Sequence, residues 1–74
     1  MKINVKIAIM SHLSDAQEIG AMMAHQNSEK ERKATCDYQS HHINFAKYLL
    51  LDCNGDLNKE YTEEELDEIW NKVK

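Results

Sequence analysis

Four histidines and two cysteines are the residues of this chain best suited to metal or nucleophile chemistry: His12, His25, His41, His42, Cys36 and Cys53. Imidazole nitrogen and thiolate sulfur are the ligands of a tetrahedral zinc site, usually announced by paired spacing such as C-x-x-C or H-x-x-x-H. Neither pairing occurs here. Cys36 stands five and six residues before His41 and His42, and adjacent histidines leave a helix on different faces, so they do not easily share one ion. Any zinc site would have to be assembled by the fold. A cysteine–histidine nucleophilic pair also needs an orienting group and an oxyanion-binding loop, and no motif supplies them. We therefore expect no catalytic residue, no cofactor and no enzyme activity.

The run Asp52-Cys53-Asn54-Gly55-Asp56 offers oxygen donors instead, behind the apolar Leu49-Leu50-Leu51. It resembles the opening of an EF-hand calcium loop. The resemblance implies Asp52, Asn54 and Asp56 as ligands at positions one, three and five, with Glu63 at position twelve as the bidentate carboxylate. Leu57 stands at the sixth position, where the family has glycine, and Lys59 at the eighth. The same residues also read as a polar turn between two helices, with Asn54-Gly55 supplying positive φ. Glu63 is then a first-turn carboxylate at a helix N-terminus. We carry the turn reading, with no metal, and keep a degenerate calcium-binding module as an alternative.

The elements that would position these residues start with a strand. In residues 1–10, Ile3, Val5, Ile7 and Ile9 alternate with Lys2, Asn4, Lys6 and Ala8, the period of a half-buried β-strand. A lone strand leaves its backbone N–H and C=O groups unpaired. Its partner is expected to be its own copy in a homodimer, a short second strand near 34–39, where Ala34, Cys36 and Tyr38 alternate with polar residues, or another protein. A loop or early helical turn is the favoured reading of 27–39, since Ser28 and Glu31 have the spacing of a capping box.

Three helices follow. Ser14 and Gln17 mark the start of the first, with Ala16, Ile19, Gly20 and Met23 on one face and an end near Gln26. Gly20 permits the close approach of another backbone. The second, over 40–52, carries Ile43, Phe45, Ala46, Tyr48, Leu49 and Leu50 around most of its circumference, so it is buried on several sides. Thr62 and Glu65 form the capping box of the third, Tyr61 and Leu66 its hydrophobic staple. Leu66, Ile69, Trp70 and Val73 make its apolar stripe, and Lys72 and Lys74 suit its C-terminal dipole.

At 74 residues the expectation is one small α+β domain with a single core. The thiols are too few for a disulfide framework, no apolar run could span a bilayer, and a cytoplasmic setting follows. The first 51 residues are nearly neutral and the last 23 strongly acidic, for a net charge of −4, which disfavours nucleic acid as a partner. The favoured function is a small interaction or regulatory protein that self-associates or binds a protein partner and not a membrane. Its contact residues would be Ile3, Val5, Ile7 and Ile9 on the strand and Leu66, Ile69, Trp70 and Val73 on the last helix. The order strand, short helix, longer helix also resembles the ribbon-helix-helix repressors and antitoxins. That resemblance implies a dimer whose paired strands enter the major groove, with Lys2, Asn4 and Lys6 facing the bases.

Overall fold

Asn4 decides where the chain stops being extended. A computed structural model, which describes residues 1–73, shows a strand β1 at Lys2–Asn4 followed at once by helix α1 at Val5–Met22. Asn4 is extended (φ −67°, ψ 138°) and its side-chain oxygen accepts from the Lys6 backbone N–H at 2.9 Å, a favourable helix cap. The expected strand over 1–10 is therefore corrected to three residues. Only three residues elsewhere pair with it, whereas a helix satisfies its own backbone. The apolar residues also fit the helical period: Val5 and Ala8 are buried and Ile9 half-buried, while Ile7 is 65 % exposed. Helix packing outweighs the small propensity cost of β-branched residues.

The strand's partner is internal, but it is not at 34–39. Helix α2 runs through that segment, from Glu29 to Asp52. Ser28 Oγ accepts from the Glu31 N–H at 3.3 Å, and Glu29 and Glu31 lie in the first turn, so the N-terminal signals at 28–31 start the helix that continues into the apolar 40–52 segment. A short 3-10 turn at Met23–His25 joins α1 to α2, making an antiparallel helical hairpin.

Beyond α2, Asn54 (φ 50°) and Gly55 (φ 84°) take the left-handed conformations expected of them, and the chain returns to β2 at Glu60–Thr62. β1 and β2 pair antiparallel with Ile3 opposite Tyr61. Val5 N–H extends the ladder to the Lys59 carbonyl at 2.9 Å, and Asn4 Nδ2 donates to the Leu57 carbonyl at 3.2 Å. Helix α3, Glu63–Lys72, then opens with both halves of the Thr62–Glu65 capping box; Lys74 lies outside the described residues. The core sits at this end of the hairpin: Val5, Ala8, Phe45, Leu49, Cys53 and Tyr61, with Ile3, Ile9, Leu66, Ile69, Trp70 and Val73 packed against it. The α+β class and the number of helices stand as expected, but two starts are corrected: Asn4 already caps α1, so Ser14 and Gln17 lie inside that helix and cap nothing, and α2 begins at Glu29 rather than near 40.

Candidate functional site

The α1–α2 hairpin has two sides, and helical spacing assigns residues to each. On α1, His12, Asp15, Ile19 and Met22 follow at three- and four-residue steps; on α2, Tyr38, His42 and Phe45 do the same, with His41 beside them. α3 lies across this side and brings Trp70 into contact. Trp70 stacks on His41 with ring centroids 3.7 Å apart and planes 20° from parallel. His41 Nε2 donates to the Trp70 carbonyl at 2.7 Å, satisfying a carbonyl in the last turn of α3 that has no partner within the helix. Trp70 also lies 4.8 Å from His42, 5.4 Å from His12 and 5.4 Å from Phe45, centroid to centroid.

Behind Trp70, His12 and His42 meet. Their Nδ1 atoms are 2.8 Å apart, so one ring donates and the other accepts. His42 is buried and His12 half-buried. Burial pushes both rings below the ordinary histidine range: for His12 the neighbouring His42 adds to the fall and Asp15 opposes it, while for His42 Asp15 opposes and His41 adds. The donor atoms of His12, Asp15 and His42 all lie within 4.8 Å of one another. Asp15 and His42 border a shallow cleft of about 310 Å³ that Glu18, Ile19, Met22 and Tyr38 also line. Two imidazoles and a carboxylate gathered this closely can exchange protons or hold a cation.

Sequence reasoning missed this grouping because thirty residues separate His12 from His42. The one local signal is His12 and Asp15 three residues apart, on one helix face. Adjacent His41 and His42 both lie against the Trp70 ring, but their hydrogen bonds diverge, His41 to the Trp70 carbonyl and His42 to His12.

The other expected sites are placed differently. Asp52 Oδ2 accepts from Tyr61 Oη at 2.6 Å and from Lys59 Nζ at 3.1 Å, and those hydrogen bonds hold its carboxyl below the ordinary carboxylate range. Asp56 Oδ1 accepts from the Asn58 N–H at 3.0 Å, closing a local turn; Asn54 and Glu63 are exposed. Among the described residues, Asp52, Asp56 and Glu63 do not gather as a three-donor cluster. Lys2 and Lys6 are exposed, one on β1 and one on α1, while Asn4 is engaged as the cap. They do not line one ribbon, because the chain turns helical at Val5. Leu66, Ile69, Trp70 and Val73 pack on the chain's own core and so form no free stripe.

The second side of the hairpin carries Ile9, Leu13, Ala16 and Gly20 on α1 and Gln39, Ile43, Ala46 and Leu50 on α2, again at three- and four-residue steps. Gln39 Nε2 crosses to donate to the Ala16 carbonyl at 2.8 Å, and a Cβ on Gly20 would lie 2.6 Å from that nitrogen. The close approach expected at Gly20 is thus real, but the neighbour is a side chain. Here Leu13 is 46 % exposed, Ile43 37 % and Leu50 55 %. No protein-family model matches the chain, and no curated protein or solved structure matches it either.

Proposed function

We propose that this chain is a small, non-enzymatic interaction protein that works as a homodimer, closed across the side of the α1–α2 hairpin that α3 leaves bare. The observation that carries this reading is the exposed row Leu13, Ile43 and Leu50, flanked by Ile9 and Ala46. An antiparallel helical hairpin with one apolar side is half of a four-helix bundle, and a second copy related by a twofold axis supplies the other half with the same residues.

The surface area fits that occupant. The chain exposes 5460 Å², whereas a compact monomer of 8.6 kDa exposes roughly 4,700 Å². The excess of roughly 750 Å² is close to one partner's share of a standard interface. The shape agrees: the radius of gyration is 13.6 Å, against about 11 Å for a compact chain of this length. In this reading the contact surface is the bare hairpin side rather than β1, which pairs with β2, or the Trp70 helix, which packs on the core. Cys36 and Cys53 are free, which suits a reducing, cytoplasmic setting.

Sedimentation equilibrium of the chain and of Ile43→Glu/Leu50→Glu tests the reading. The unaltered chain runs at twice its formula mass at micromolar concentration, and the folded variant runs at the monomer mass. A monomeric parent, or a variant that still dimerises, overturns it.

A further inference from the structure

We propose that His12, Asp15 and His42 form a binding site for one transition-metal dication of the zinc class. The grouping is three-dimensional: α1 supplies His12 and, three residues on, Asp15, and α2 supplies His42 from across the hairpin, with all three donor atoms within 4.8 Å of one another. Two imidazole nitrogens and one carboxylate oxygen select zinc, copper, nickel or cobalt over calcium and magnesium, which favour all-oxygen shells.

The distances sit close to what such an ion needs. Zinc bonds histidine nitrogen at about 2.0–2.1 Å, which places two nitrogens of a tetrahedral site about 3.3 Å apart. His12 Nδ1 and His42 Nδ1 are 2.8 Å apart, so a small opening of the pair admits the ion in place of the proton they share. His12 is the half-buried partner of the two, its ring lying 4.4 Å from Phe45 and 5.4 Å from Trp70, centroid to centroid. His42 is fixed from several sides, edge-on to Tyr38 at 4.7 Å and against Trp70 at 4.8 Å. The fourth position faces the cleft, where Glu18, one turn beyond Asp15, lines the wall and leaves space for water or a further oxygen ligand. Three protein ligands with one open position is the arrangement of an accessible zinc site.

This site lies on the side of the hairpin covered by α3, away from Leu13, Ile43 and Leu50, so it stands or falls independently of the dimer. The test is isothermal titration of the full chain with zinc chloride after chelator treatment, with calcium chloride as the contrast and Trp70 emission followed in parallel. Trp70 is the only tryptophan and touches both rings, so its emission reports on this site. Zinc binds with one ion per chain and shifts Trp70 emission at the same stoichiometry, and calcium does neither.

His12→Gln and Asp15→Asn each weaken zinc by at least about tenfold, a loss seen even for partners outside the ligand shell, and Cys36→Ser leaves the affinity unchanged. Asp15→Asn keeps the side-chain shape and makes the test independent of whether His12→Gln folds. Absence of saturable zinc binding overturns the proposal. So does equal affinity in folded Asp15→Asn, or loss of binding in Cys36→Ser.

Discussion

The two sides of the α1–α2 hairpin are built from the same helices with the same periodicity, yet Trp70 of α3 packs on one of them and not on the other. The covered side is aromatic and imidazole-rich, and α3 closes it with directional contacts: the Trp70 stack on His41, the His41 bond to the Trp70 carbonyl, and the His12–His42 pair. The bare side is aliphatic around a small-residue floor of Ala16, Gly20 and Ala46. Buried polar rings need specific partners, so they fix one occupant in one register. Aliphatic groups are attracted without direction and accept any complementary apolar surface, a second copy included. Residue chemistry, rather than helical pattern, separates the side on which Trp70 packs from the side we propose for association.

The comparison breaks first at Trp70. Trp70→Ala removes the half-buried ring that touches His41, His42, His12 and Phe45, and costs about 2–3 kcal/mol, somewhat below a full core Trp→Ala change. Urea denaturation followed by circular dichroism measures it. A loss below about 0.5 kcal/mol, the range of an ordinary surface change, would mean that α3 does not hold the covered side together.

Tyr61→Phe comes next. It deletes the 2.6 Å bond to Asp52 from the β2 side of the core and costs about 1–2 kcal/mol at neutral pH. The folded Asp52 carboxyl is held low, first by Tyr61 and then by Lys59. Its stabilisation is therefore present above the unfolded carboxylate range, near pH 4, and is lost as pH falls through the folded value. In Tyr61→Phe that acid-side loss shrinks, which thermal melts between pH 5 and pH 2 would reveal.

A smaller effect separates the two sides by pH. Burial lowers His12 and His42, so below the ordinary histidine range the unfolded chain binds more protons than the folded one. Stability is full above about pH 6.5 and declines as pH falls through the depressed values. The charged and titratable groups facing the pair are Asp15 and Glu18 on α1 and His41 and Tyr38 on α2. Melts in chelator-containing buffer should show the decline in the parent chain and a flatter profile in His12→Gln. The smallest effect belongs to the bare side: Leu13→Ser changes the stability of the dilute monomer by no more than about 0.5 kcal/mol while weakening association. A large loss in the monomer would show that Leu13 serves the chain's own fold.

Local signals were legible wherever one short segment was enough to satisfy its own backbone. Thr62 and Glu65 announced α3 because a capping box is a contact across three residues, and Asn54-Gly55 announced a turn because few residues take positive φ cheaply. Residues 1–10 misled because β-branched alternation and a helical face coincide over so few positions. Asn4 resolves the ambiguity as a cap, and the short reach of β2 limits the strand to three pairs. Segment 34–39 alternates as a strand would, yet it lies between a Ser28-capped start and a strongly apolar helix, and helix growth through it is cooperative.

The amino-acid sequence alone determined the α+β class, the caps at Ser28 and Thr62, the turn at Asn54-Gly55 and the apolar stripe of α3, all set by interactions within a few residues. It also determined an apolar surplus on the helix over 40–52, Ile43 and Leu50 among it. Only the tertiary structure decided that β1 finds its partner in β2, that Trp70 closes one side of the hairpin, and that His12, Asp15 and His42 converge. Those outcomes depend on contacts between residues some thirty to sixty positions apart, and spacing along the chain carries no record of which side chains the hairpin will bring face to face.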